Sequence, residues 1–149
     1  MLRKKKAAWA LGLGLMSLIL AASAACGESA QGADPASANP DVVIDISIKN
    51  LRFTPSTVDV PAGKTVRINV TNQDATEHDL LVQGLQIQKV GAATGAHHAG
   101  ATPNMLVVHV TASGNGSITF RTEQRGTFAF NCTIPGHKDA GMVGKMTVS

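Results

Sequence analysis

Residues 65–82 read TVRINVTNQDATEHDLLV. Val66, Ile68 and Val70 alternate with Thr65, Arg67, Asn69 and Thr71, the two-residue period of a strand that buries one face. Asn72, Gln73 and Asp74 form a turn signal, and a second β-rich run, His78–Val82, follows it. The chain has four Phe, one Trp and no Tyr, so core formation falls to Val, Ile and Leu. Short runs of these residues with Thr, bounded by Gly, Pro, Asn and Asp, favour an all-β domain.

The same pattern recurs outward from this stretch. Further runs lie at Val42–Ile48, Thr57–Val60, Met105–Val110, Ser117–Arg121, Thr127–Asn131 and Gly144–Val148. Turn signals separate them at Pro61-Ala62-Gly63, Gly114-Asn115-Gly116 and Gln124-Arg125-Gly126. About eight short strands at this spacing predict a two-sheet Greek-key β-sandwich occupying residues 41–149. The stretch Gly84–Asn104, rich in Gly and Ala, breaks the rhythm and is expected to be a long surface loop or insertion. Nothing beyond the first 25 residues reads as a long amphipathic helix, and there are no internal repeats.

Residues 1–25 have the order of an export signal: Arg3, Lys4, Lys5 and Lys6, an apolar stretch over 7–22, then the small residues Ser23, Ala24 and Ala25. Positions 7–25 are also long enough for an uncleaved membrane helix. Either reading puts the domain outside the cytoplasm. The small residues running into Cys26 resemble the lipobox of bacterial lipoproteins, in which that Cys is acylated, although Ser23 stands where a Leu is usual. The alternative is cleavage by the general signal peptidase, leaving Cys26 free or removed. An acyl anchor is preferred, because a free thiol is a liability in an oxidising compartment. Residues 26–40, including GESAQGADPASANP, have no hydrophobic periodicity and are expected to form a flexible tether.

The 149 residues carry thirteen Lys and Arg against ten acids, a formal charge of +3. Four of those cations lie in the first six residues, and the nine that remain are scattered among acids. A nucleic-acid partner is therefore excluded.

The chemistry concentrates near the C-terminus. Residues 131–142 read NCTIPGHKDAGM, with a Cys, a His five residues later and a Met five residues beyond that, punctuated by Gly and Pro. Ten residues span ~33 Å when extended, so the chain has ample slack to fold back and point Cys132, His137 and Met142 at one ion. His78, opening a predicted strand, is the natural fourth donor. Two imidazoles, a thiolate and a weak thioether suit copper in both oxidation states, whereas structural zinc takes four Cys or His ligands and no Met. Taken singly, a Cys in a β-rich domain is usually a buried small hydrophobe, and a loop His or Met is usually surface or packing. Met146 is the rival axial donor, but it alternates with its neighbours on a predicted strand and is expected in the core.

These residues resemble a cupredoxin of the plastocyanin, auracyanin and sulfocyanin type over about residues 50–149. The likeness rests on PAGKTVRINVTNQ followed by EHDLLV, and on GTFAFNCTIPGHKDAGM, whose spacing is closer to auracyanin and rusticyanin than to the shorter plastocyanin loop. The resemblance implies one type 1 copper held strongly by His78, Cys132 and His137 and axially by Met142, with His137 near the surface as the electron port. Many cupredoxins place Asn or Ser after the first His. This chain has Asp79, expected to be solvated, with lowering of the reduction potential as its other possible effect.

His97 and His98, in GAHHAG, are expected to be solvated loop residues rather than a second metal site, and His109 a strand residue facing polar neighbours. The function expected is one-electron transfer between redox partners such as a cytochrome or a membrane oxidoreductase complex. A copper-delivery protein shares the ligands and is the alternative. A copper oxidase or nitrite reductase resembles chains with His flanking the Cys, whereas Cys132 lies between Asn131 and Thr133. A dinuclear copper domain would need a second Cys in the loop.

Overall fold

The computed structural model describes residues 39–91, 93–95 and 102–149. The export segment, Cys26, nearly all of the tether, His97 and His98 lie outside the described residues.

Ten strands follow in order: β1 (Val42–Ile48), β2 (Phe53–Thr54), β3 (Thr57–Val60), β4 (Val66–Asn72), β5 (His78–Gln86), β6 (Gln88–Lys89), β7 (Met105–Val110), β8 (Asn115–Arg121), β9 (Gly126–Asn131) and β10 (Val143–Val148). One sheet has the order β2-β1-β4-β8-β6 and the other β3-β10-β9-β5-β7, the two-sheet sandwich expected. β1 runs parallel to β4 and β3 parallel to β10, so each sheet is closed by long-range pairing as well as by hairpins.

Alternation decides which residues face inward. On β4, Val66, Ile68 and Val70 are fully buried, as are Leu106 and Val110 on β7 and Ile118 and Phe120 on β8. Burying a Val, Ile, Leu or Phe side chain contributes about 1.5–3 kcal/mol, so this layer supplies the main driving force for folding. Met146, also fully buried, lies on β10 within this core beside Phe128 and Val58.

Three expectations are corrected. The strands number ten rather than about eight, because β2 and β6 have two residues each, too short to show a period. Gly84–Asn104 is not loop throughout: β5 continues to Gln86, Leu85 and Ile87 are buried, and Thr94 bridges Ser117. An irregularity between Leu81 and Gln86 shifts the register with β7, which masks the alternation. Asn115 and Gly116 belong to β8, and the turn is made earlier, where Gly114 N–H donates to the Thr111 carbonyl at 3.0 Å.

Phe130 on β9 is buried edge-on to Phe53, with ring centroids 5.2 Å apart. A methyl group on Gly144 would overlap the Phe130 ring and come within 2.6 Å of the Ser56 carbonyl oxygen. Gly144→Ala is therefore expected to destabilise the domain by about 1–3 kcal/mol, the usual cost of overpacking. Urea unfolding of the variant beside wild type measures this, and an unchanged midpoint would contradict it.

Candidate metal centre

The second sheet assembles the site. His78 opens β5, and Cys132 follows the last residue of β9. The two strands pair antiparallel, Leu81 with Asn131 and Val82 with Phe130, so continuing the register brings Asp79 beside Thr133. Thr133 N–H donates to Asp79 Oδ1 at 2.6 Å, and the Thr133 hydroxyl donates to Oδ2. Asp79 is fully buried, which corrects the expectation that it is solvated. It lies on the face of β5 opposite Leu80 and Val82 and is met there by the two Thr133 donors across the strand gap; burial of a carboxylate is tolerated where such bonds satisfy it.

The chain from Cys132 to Met142 folds back on itself. Cys132 N–H donates to the Met142 carbonyl at 3.2 Å, Met142 N–H to His137 O at 3.0 Å, and His137 N–H to Ile134 O at 3.1 Å. Gly136 and Gly141 have φ of 83° and 94°, the left-handed region that glycine enters without steric cost. A Cβ at Gly141 would displace the guanidinium of Arg52. That guanidinium donates to the Ala140 carbonyl, tying the loop to the β1–β2 turn.

The potential ligand atoms of His78, Cys132 and His137 all lie within 4.8 Å of one another. His78 Nδ1 is 3.2 Å from His137 Nδ1, and Cys132 Sγ is 3.5 Å from His137 Nδ1. Among the described residues this is the one cluster of three such groups. Met142, fully buried, joins the same loop through its amide. The thiol also accepts a hydrogen bond from the Asp79 amide at 3.5 Å, which orients Sγ. Two nitrogens and a sulfur converging in a largely buried site make a donor set that fits copper.

The far nitrogen of His78 is engaged by residues that the sequence reading did not single out. His78 Nε2 is 3.1 Å from Asp74 Oδ2 and 3.3 Å from Thr76 Oγ1. The order NQDATEH marked Asp74 only as a turn residue; its offset of four from His78 was the available signal. His109 lies on β7 with Nε2 3.5 Å from the Glu77 carboxylate, the polar environment expected.

Burial pushes the His78 imidazole below its ordinary value, and its hydrogen bond to the Asp74 carboxylate opposes this only in part. Burial pushes the Cys132 thiol up, against the Asp79 amide, which favours the thiolate. Burial alone would raise the Asp74 carboxyl, but the amides of Leu51 and Asn50 and the contact with His78 outweigh it and hold it below its ordinary value.

A model of the cupredoxin-like domain family matches residues 16–148. The copper-resistant cuproprotein CopI of Rubrivivax gelatinosus is 36% identical over 103 residues, 66% of this chain and 60% of CopI. Auracyanin-A of Chloroflexus aurantiacus is 30% identical over 148 residues, 90% of this chain and 91% of its own. The solved structure of auracyanin B superposes with a TM-score of 0.57 at 27% identity, covering 79% of this chain and 96% of that one. The chain spans between about half and three fifths of the length of the first curated relatives it matches.

The folded, metal-free protein binds fewer protons at His78 than the unfolded chain does, so its stability falls as pH drops below the ordinary histidine value of 6.5. At Cys132 it binds more, so stability also falls as pH rises past 9.0. Thermal midpoints of metal-free protein across this range are expected to form a plateau between the two limits. His78→Gln should flatten the acid side; an unchanged acid slope would show that His78 is not its source.

Proposed function

The chain belongs to the family of cupredoxin-like domains, and on that premise we propose that it is an extracytoplasmic electron carrier binding one copper ion. His78, Cys132 and His137 would hold the ion strongly and Met142 more weakly. The convergence of three ligand atoms within 4.8 Å, supplied by the mouth of one sheet, carries this reading. Bound copper supplies a one-electron couple between Cu(I) and Cu(II). The protein's part is to hold the donors in one arrangement that suits both states, the thiolate favouring Cu(I) and the imidazoles accepting Cu(II). His78 is anchored by the start of β5, Cys132 by the end of β9 and by the Asp79 amide, and His137 by the closed loop. Little movement accompanies a change in charge.

His137 is only partly buried, whereas His78, Cys132 and Met142 are fully buried. Electrons therefore enter and leave through the His137 edge, where a cytochrome or a membrane oxidoreductase docks. The N-terminal segment keeps the domain at the membrane through an acyl group on Cys26 or an uncleaved helix.

Similarity to CopI supports a second reading, in which the protein holds or delivers copper as part of copper resistance. Burial of three of the four ligands favours retention of the ion over release. Repeated reduction and oxidation in the presence of a Cu(I) chelator separates the two readings: a carrier keeps its copper through many cycles, and a delivery protein surrenders it once reduced.

The oxidised copper protein is expected to show an intense visible band from thiolate-to-copper charge transfer, with Cys132→Ser abolishing it because a hydroxyl does not replace the soft sulfur. A variant that keeps the band would remove Cys132 from the ligand set. Met142→Leu is expected to retain copper and colour but to raise the potential, since losing a donor and gaining apolar surface disfavours the more highly charged ion. Met146→Leu, in the core, should leave the potential unchanged. Redox titration at one pH makes the comparison, and the opposite pattern would show that the wrong methionine has been assigned.

A further inference from the structure

Asp74 makes two kinds of contact at once. Its Oδ2 lies 3.1 Å from His78 Nε2, the ring nitrogen other than the one that faces His137. It also accepts two backbone amides, Asn50 N–H at 2.7 Å on Oδ1 and Leu51 N–H at 3.1 Å on Oδ2. These amides belong to a two-residue turn closed by Lys49 and Arg52, whose main chains bond reciprocally at 3.0 and 3.1 Å. Asn50 and Leu51 have φ of 52° and 57°. Leucine seldom enters that region, and in doing so here it turns its amide toward the carboxylate. The Asp74 main chain is fixed as well, its N–H donating to Asn72 Oδ1 at 3.0 Å and its carbonyl accepting from Ser113 N–H at 2.9 Å.

A carboxylate has no hydrogen to give, so the proton between Asp74 and His78 sits on Nε2. The Thr76 hydroxyl, 3.3 Å from the same nitrogen, donates or accepts equally well and decides nothing. With Nε2 protonated, Nδ1 carries the lone pair, and Nδ1 is the atom facing His137. A carboxylate on the far nitrogen also makes an imidazole a stronger electron donor, which favours the metal's higher oxidation state.

We propose that Asp74 is a positioning residue that locks His78 in its Nε2–H tautomer and, through it, lowers the reduction potential of the site. The assignment rests on the carrier reading for its effect on potential, but not for its effect on the tautomer. The β1–β2 turn is part of the same device. Asn50 and Leu51 hold Asp74, and the next residue, Arg52, holds Ala140 on the loop bearing His137 and Met142.

The test has two arms. Nitrogen-15 NMR of the metal-free wild type reads the His78 tautomer directly; Nε2–H is expected, and Nδ1–H would overturn the proposal whatever the variants do. Redox titration then compares copper-loaded wild type with Asp74→Asn and Glu77→Gln. The amide keeps the shape of Asp74 but turns an NH2 group toward donors it does not satisfy. The ratio of Cu(II) to Cu(I) affinity should fall about tenfold in Asp74→Asn, a rise of ~59 mV for one electron. Glu77 is the neighbour of His78 in the chain, yet it is exposed and its carboxylate meets His109 instead, so Glu77→Gln should not move the potential. Equal shifts in both variants would reduce the effect to net charge and overturn the proposal, as would an unshifted Asp74→Asn. A wild type whose copper does not cycle reversibly would defeat the carrier reading, and the tautomer would still decide the role of Asp74.

Discussion

The site depends on one piece of strand pairing: β9 lies between β5 and β10 in a single sheet. His78 belongs to β5, Cys132 immediately follows β9, and Met142 immediately precedes β10. Each approaches from a different strand, but the ladder fixes the spacing of those strands. A single-residue slip between β5 and β9 would reverse the facing of every side chain on β5, taking His78 away from the thiol and turning Leu80 and Val82 out of the core. The hydrophobic pattern that drives folding therefore also specifies the spacing of these three side chains.

Around this frame the polar groups are fully employed. Among the described residues, no buried side-chain nitrogen or oxygen lacks a partner. Asp79 crosses from β5 to Thr133, Asn72 donates to the carbonyls of Thr76 and Thr111, and Asp74 joins the β1–β2 turn to His78. An unmet polar group in such an interior costs about 1–3 kcal/mol. The network thus penalises rearrangement of the loops and leaves little freedom for His78, Cys132 and His137 to move.

Much of this was legible in the residue order. The alternation in TVRINV and MLVVHV marks β4 and β7 because one face of each is buried, a pattern that period and composition carry. The clustering of Cys132, His137 and Met142 was visible because one short loop carries all three. What escaped reading depends on contacts between distant segments. The two-residue strands have no period, Leu85 and Ile87 are inward only after a register shift, and Asp79 is buried because a pairing partner fifty-four residues away supplies two donors. Asp74 and Arg52 look like ordinary polar turn residues until the fold sets them against His78 and Ala140.

The bond from the Cys132 amide to the Met142 carbonyl acts as a clasp at the neck of the ligand loop. Beyond it, β9 and β10 are paired from Asn131 and Val143 onward, so the clasp carries the pairing of the two strands one step into the loop. Held at this neck and, from outside, by Asp79 on Thr133 and by Arg52 on Ala140, the span behaves as a braced arch, in which a shift of any one side chain is resisted by segments beyond the loop.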